Sequence, residues 1–196
     1  MVLNLLKDIK VLLGSQSPRR TELLSKMGIG HEVVVIPTDE SFDASLTPEE
    51  IVNHIALNKL KAFEGGAYPD YLVITADTIV VHEGAILGKP RDREEAFDTL
   101  KALQGKSHLV MSSVALLWEG VVHSFVETTE VVLVSLSDAE IAYYVDNFKP
   151  LDKAGSYGIQ EWIGLVGIES IHGSYENVVG LPTARLYQKL KSLLEG

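Results

Sequence analysis

Ile9-Lys10-Val11-Leu12-Leu13-Gly14-Ser15-Gln16-Ser17-Pro18-Arg19-Arg20-Thr21-Glu22-Leu23-Leu24-Ser25-Lys26-Met27-Gly28 is the stretch on which the fold turns. Ile9 to Leu13 is a short apolar run that reads as a buried strand. It breaks at Gly14 into a polar loop, and Leu23, Leu24 and Met27 then recur at helical spacing. Ser17 is the expected N-cap, Pro18 occupies the first helical position where its missing N–H is no loss, and Gly28 is the expected stop. A strand, a loop and a helix in direct succession open an α/β chain.

The same alternation continues outward. A strand is expected over Val33 to Ile36, ahead of Thr38-Asp39-Glu40. Thr47-Pro48-Glu49-Glu50 is a capping box opening a helix to about Phe63, with Val52, Ile55, Ala56, Ala62 and Phe63 as its buried stripe. Tyr71 to Val81 reads as a strand, and Glu83-Gly84 turns it into Ala85 to Leu87. Asp92 caps a helix whose buried face is Ala96, Phe97, Leu100 and Leu103, stopped by Gly105. His108 to Trp118 and Val121 to Ser135 form an extended hairpin about Glu119-Gly120. Ser137-Asp138-Ala139-Glu140 is a second capping box, and its helix carries Ile141, Tyr144, Val145 and Phe148 and closes at Lys149-Pro150. A loop over Asp152 to Gln160, a strand over Leu165 to Ile171 and a helix over Pro182 to Leu194 complete the reading. Because hairpins accompany the helix–strand alternation, the expected fold is α/β: a mixed, elongated β-sheet flanked by helices, in two lobes around a central cleft. A purely parallel sheet is excluded. No repeat or linker divides the chain, so residues 1–196 read as a single domain.

Composition narrows the function. Hydrophobic residues make up 46% and charged residues 22%, which fits an ordinary globular protein and excludes disorder and low-complexity classes. Seventeen basic against twenty-seven acidic residues give a net charge of −10. That charge repels nucleic acid polymers and anionic membranes, so an anionic ligand must meet a local cluster of cations. With no cysteine there is no disulfide, thiolate metal site or cysteine nucleophile. The opening residues lack an export signal and no apolar stretch spans a bilayer, so a cytoplasmic location is expected.

Several places can carry chemistry. Arg19 and Arg20 lie in the first turn of a helix, where unpaired N–H groups already favour an anion and where a cation costs about 0.3–1 kcal/mol. Either they form an exposed solvated pair, or a bound anion with phosphate-like oxygens reverses the sign. Asp77 interrupts an apolar strand and must meet a cation, a metal or several donors. Lys59 falls within the buried stripe of its helix and demands an anionic partner. Lys89 in Gly88-Lys89-Pro90 and Lys153 in Asp152-Lys153-Ala154-Gly155 stand beside turns, from which a side chain can reach a cleft or simply solvate the surface. Asp39 and Glu40 can join Asp77 around a hard divalent cation such as Mg²⁺, or form only an acidic turn. Gly105-Lys106-Ser107 lacks the earlier glycine of a P-loop, and the six histidines have no zinc spacing.

Six pieces in order, namely Ser15-Gln16-Ser17-Pro18-Arg19-Arg20, Ala56-Leu57-Asn58-Lys59, Ala76-Asp77-Thr78, Gly88-Lys89-Pro90, Asp152-Lys153-Ala154-Gly155-Ser156-Tyr157-Gly158-Ile159-Gln160 and Asn177-Val178-Val179-Gly180-Leu181-Pro182, resemble the Maf family of nucleoside triphosphate pyrophosphatases. The resemblance implies a cytoplasmic, homodimeric enzyme that cleaves between the α and β phosphates of a nucleoside triphosphate with a divalent cation, Mg²⁺ or Mn²⁺. By matched position, Asp77 is implied as proton acceptor and metal-associated carboxylate, and of the two acidic residues past the second strand Glu40 is its expected partner at the metal. Ser15, Arg19, Arg20, Lys59 and Lys89 are implied to hold the triphosphate. Arg19, Thr78 and Gln160 match the branch acting on dTTP and UTP. The alternatives are a 7-methyl-GTP or purine-directed pyrophosphatase, and a nucleotide-binding regulator of cell division with little turnover. The sequence departs from the pattern after Gln160, where Glu161-Trp162 brings in a bulky ring.

Overall fold

A computed structural model describes residues 1–195, which form a mixed α/β fold around a seven-stranded sheet. The strand order is β2-β1-β3-β5-β6-β7, with β4 paired to β3, the strands being β1 (Lys10–Leu13), β2 (Glu32–Val33), β3 (Tyr71–His82), β4 (Ala85–Leu87), β5 (Ser107–Trp118), β6 (Val121–Leu133) and β7 (Ile168–His172). Two compact units are present. One comprises Met1–Asp77, Ser112–Glu127 and the segment from Gly180; the other comprises Thr78–Met111 and Thr128–Val179.

The first unit holds helices α1 (Val2–Leu5), α2 (Pro18–Lys26), α3 (Pro48–Lys61) and α8 (Thr183–Leu194). β1 runs parallel to both β2 and β3, with Leu12 opposite Val73 and Leu13 opposite Ile74. Each face of this sheet is covered, which is why its strands read as continuous apolar runs. Val11, Leu13, Leu72 and Ile74 pack with Leu24 of α2 and with Leu186 and Leu190 of α8. Leu12 and Val73 point the other way, onto Ala56 and Leu60 of α3 and onto Phe63. Just past β1, Gly14 still donates its N–H to the Ile74 carbonyl at 2.8 Å, and no side chain fits there: a Cβ would stand 2.8 Å from both Phe63 Cε2 and Thr75 Cγ2.

The second unit holds α4 (Arg93–Leu103), α5 (Asp138–Phe148), α6 (Trp162–Val166) and α7 (Tyr175–Val179). The expected turn at Glu83-Gly84 is present, both residues having positive φ (49° and 81°), the twist that suits a two-residue hairpin. Ala96, Leu100 and Leu103 of α4 and Ile141, Tyr144 and Val145 of α5 form one core with Leu133 and Ile163.

Several expectations are corrected. Only Glu32–Val33 pairs where a strand over Val33 to Ile36 is expected. The start of the strand expected over Leu165 to Ile171 is displaced: α6 takes Trp162–Val166, and β7 begins at Ile168. Leu165 is 84% exposed while Ile163 is buried, so the apolar run does not belong to one buried strand. Within α6 only glycine fits at position 164, where a Cβ would stand 1.6 Å from the Ile159 carbonyl oxygen. Ser17 has N-cap backbone geometry but makes no side-chain cap bond; its own N–H donates to Ser15 Oγ at 3.3 Å. The short α1 and α7 had no sequence signal.

Candidate active site

The first unit gathers most of the charged candidates. α3 is docked on β3 by Thr75 Oγ1, which donates to the Ala56 carbonyl at 2.8 Å. Two residues on along the strand lies Asp77, and three on along the helix lies Lys59, the spacings that keep each on its own face. Lys59 Nζ accordingly reaches Asp77 Oδ1 at 2.6 Å and Glu40 Oε1 at 2.8 Å. The Lys59 and Asp77 side chains are 18% and 16% exposed, so the pair is screened far less than a surface ion pair. The lysine in the buried stripe and the aspartate in the apolar strand answer one another.

The two arginines diverge. Arg20 turns inward and is buried, donating from Nε to the Gly180 carbonyl at 2.9 Å and from a terminal nitrogen to Ser15 Oγ at 3.0 Å. Burial pulls its guanidinium below its usual pKa; the carboxylates of Asp77 and Glu40 oppose this, and Arg19 adds to it. Arg19 is half-buried and close enough for its charge to be felt by Arg20. Ser15 is buried and shared between Arg20 and the Ser17 N–H. The loop bearing Glu40 is shaped by Asp39, whose carboxylate accepts from Ser41 N–H at 2.9 Å and Ser41 Oγ at 2.7 Å. Those bonds hold Asp39 below the usual carboxylate range and occupy it locally. Ser15, Arg19, Arg20, Glu40, Lys59 and Asp77 thus form one group of three cations and two carboxylates about a buried hydroxyl.

The second unit carries the other candidates. Thr78 follows Asp77 on β3 and is half-buried; Lys89 and Gln160 are exposed. The Gly88 carbonyl accepts from Gly155 N–H at 3.2 Å, tying the Gly88-Lys89-Pro90 turn to the Asp152–Gln160 loop. Lys153 does not solvate the surface: it is 8% exposed and held by Asp152 and Glu161. Gly180, whose carbonyl fixes Arg20, had no role assigned from sequence, and neither had Glu161.

A mixed α/β sheet here gathers basic side chains around a carboxylate with a lysine partner, an arrangement suited to an anionic ligand. The family described as Maf-like protein matches residues 10–193. The chain is 49% identical over 189 residues to a dTTP/UTP pyrophosphatase of Phocaeicola vulgatus, covering 96% of this chain and 98% of that one. It is 50% identical to the dTTP/UTP pyrophosphatase of Bacteroides fragilis, over 94% of this chain and 96% of that one. A third relative of that name, from Porphyromonas gingivalis, is 45% identical over 99% of both chains. The chain belongs to the Maf family. A solved structure, the Staphylococcus aureus Ham1 protein, aligns with a TM-score of 0.43 at 13% identity, over 63% of this chain and 71% of that one. Among the described residues, no helix is long and apolar enough to cross a membrane.

Proposed function

We propose that this protein hydrolyses dTTP and UTP to the nucleoside monophosphate and pyrophosphate. The observation that carries the reading is Asp77, held through Oδ1 by Lys59 and within electrostatic reach of Arg20. Relatives bearing the name dTTP/UTP pyrophosphatase over nearly the whole chain support the substrate. In the reaction, a water oxygen bonds to the α phosphorus, the α–β anhydride bond breaks, and pyrophosphate leaves with the bonding electrons. The water proton passes to Asp77. Ser15, Arg19, Arg20, Lys59 and Lys89 hold the phosphates and spread the charge that moves onto the leaving group. Thr78 and Gln160, with Arg19, select the pyrimidine.

A divalent cation fits these residues. The Glu40 and Asp77 carboxylates already flank one cation, the Lys59 ammonium. Among the described residues no group of three or more histidines, cysteines, aspartates or glutamates is placed to hold a metal. Two carboxylates match the way Mg²⁺ or Mn²⁺ is held, with water and substrate phosphate completing the shell. Bound there by Asp77 and Glu40, such an ion would supply Lewis-acid stabilisation of the phosphate oxygens. We place the enzyme in the cytoplasm as a homodimer, with residues 1–196 acting as one functional domain.

The test is pyrophosphate and orthophosphate release from dTTP, UTP, CTP, dATP, GTP and 7-methyl-GTP, with Mg²⁺, Mn²⁺ or chelator. Metal-dependent pyrophosphate release favouring dTTP and UTP is expected. Asp77→Asn keeps the fold and loses about 10²–10⁴ in turnover, the usual contribution of a positioned base. Wild-type turnover by the folded variant would remove Asp77 from its role, and a preference for 7-methyl-GTP would discard the pyrimidine assignment alone.

A further inference from the structure

Lys59 stands between the two carboxylates to which the reading above gives the metal. Its Nζ lies 2.6 Å from Asp77 Oδ1 and 2.8 Å from Glu40 Oε1, so a single ammonium bridges them. A Mg²⁺ ion takes carboxylate oxygens at about 2.0–2.1 Å. An ammonium and such an ion cannot share the gap between the same two oxygens, so Lys59 competes with the metal for one pair of carboxylates. Charge sharpens the competition. Arg20 is acted on by both carboxylates and by Arg19, so the group already sets three cationic side chains against two carboxylates. A divalent ion added with Lys59 in place would meet a surplus of positive charge a few ångströms away. The low exposure of Lys59 and Asp77 leaves that repulsion weakly screened.

Of the two cations that act on Asp77, Lys59 is the one built to yield. Arg20 is buried and tied down, by Nε to the Gly180 carbonyl at 2.9 Å and by a terminal nitrogen to Ser15 Oγ at 3.0 Å. Lys59 carries its charge on a flexible four-carbon stem, and the Glu40 side chain it holds is 55% exposed on a loop. An outgoing ammonium needs another anion, and the phosphates of a nucleotide supply it. We propose that Lys59 is a resident placeholder for the divalent cation. In the nucleotide-free protein it keeps Asp77 and Glu40 paired. When a triphosphate arrives, Lys59 exchanges carboxylate oxygens for phosphate oxygens and leaves the two carboxylates to the metal. Metal binding thus depends on bound nucleotide, and Asp77 stays occupied until substrate is present. The inference rests on the reading that Asp77 and Glu40 hold the metal and that the substrate is a nucleoside triphosphate.

The experiment is equilibrium dialysis of the full chain against Mn²⁺, with and without a UTP analogue whose α–β bridge is a methylene group that resists cleavage. The parent should bind Mn²⁺ much more weakly without the analogue than with it. Lys59→Met keeps the length of the side chain and removes its charge. It should raise nucleotide-free Mn²⁺ affinity by at least about tenfold, because a like charge a few ångströms away in a weakly screened setting is worth at least that. Asp77→Asn in the Lys59→Met background should abolish the gain, which ties the ion to this pair. Arg19→Met removes the same charge from the group without opening the carboxylate pair, and should gain less than about threefold. Lys59→Gln, read in the same way, serves if Lys59→Met does not fold. Nucleotide-free binding as tight in the parent as in the Lys59 variants, or an equal gain in Arg19→Met, would overturn the exchange. Turnover separates this inference from the reading beneath it. Metal-dependent pyrophosphate release by a parent whose Lys59 variants gain no Mn²⁺ affinity keeps the pyrophosphatase and removes the placeholder. A gained Mn²⁺ site, lost with Asp77→Asn, in a protein that cleaves no triphosphate does the reverse.

Discussion

Arg20 shows how far a single residue's chemistry is decided by its partners. Its guanidinium is buried and forks between the Gly180 carbonyl and Ser15 Oγ, with Asp77 and Glu40 offsetting the loss of water. A lysine has one compact ammonium and no fork, so it cannot reproduce both bonds. Arg20→Lys should lower stability by about 1–3 kcal/mol, the cost of leaving a buried polar group unmatched, read as a lower urea midpoint with an unchanged slope. A midpoint equal to the parent's would show that the Gly180 and Ser15 bonds contribute nothing to the fold. The sequence marks the arginine pair, because cations at a helix start are electrostatically misplaced, and it marks Lys59 and Asp77 as charges within apolar patterns. It does not show that one arginine turns inward, because the carbonyl that fixes it lies 160 positions away. Partnerships at that range leave no local pattern.

Elements were legible where their ends carry their own chemistry. Both capping boxes are formed: Thr47 and Glu50 exchange bonds at the start of α3, Ser137 and Glu140 at the start of α5, and Asp92 Oδ1 accepts from Glu95 N–H at the start of α4. α6 and α7, five residues each, have no such signature and were missed. The 3₁₀ turn over Ala154–Ser156, in the loop that bears Gln160, went unread for a different reason: it rests on strain. Gly155 and Ser156 both have positive φ, 69° and 62°. Gly155 has its Cα against Val80, with only 2.8 Å left for a Cβ, so glycine is required there on two counts. Ser156 has no such excuse: it is fully buried, and its hydroxyl finds no partner among the described residues. A left-handed non-glycine residue costs about 1–3 kcal/mol, against about 0.5–1 kcal/mol for the greater freedom a glycine loses on folding. Ser156→Gly should therefore raise stability by about 1 kcal/mol, seen as an increase in melting temperature. A decrease would mean that the serine is held by an interaction that more than offsets its backbone strain.

At the scale of the whole molecule, the mixed sheet was legible because hairpin turns and helix–strand alternation occur in one chain. Two lobes were expected and two compact units are present, but the boundary between them was not legible, because it falls inside strands: β3 passes from one unit to the other after Asp77, β5 after Met111 and β6 after Glu127. No linker composition can mark such a boundary. The core of the second unit makes global stability depend on pH. His108 on β5 is 2% exposed, its Nε2 lies 2.7 Å from the Tyr157 hydroxyl with the rings edge to face, and its Nδ1 has no partner among the described residues. Burial, and then the neighbouring His82, pushes its pKa down to about 4 from the ordinary 6.5. The folded state therefore binds fewer protons at this site than the unfolded chain does between those two values, and stability rises with pH across that window. The contribution of neutral His108 is complete above about pH 6.5 and is lost as pH falls towards 4, by up to about 3 kcal/mol at 1.36 kcal/mol per unit. The carboxylates of Asp39, Asp43, Glu50 and Glu140, held below their usual range by local hydrogen bonds, add a loss of the same sign only as pH approaches that range. The slope between pH 5 and 6.5 is thus assigned to the buried imidazole. Urea unfolding at intervals from pH 4.5 to 7.5 should show it, and His108→Gln, which cannot titrate, should flatten it. A parent slope near zero in that interval, or an equal slope in the variant, would place the proton uptake elsewhere.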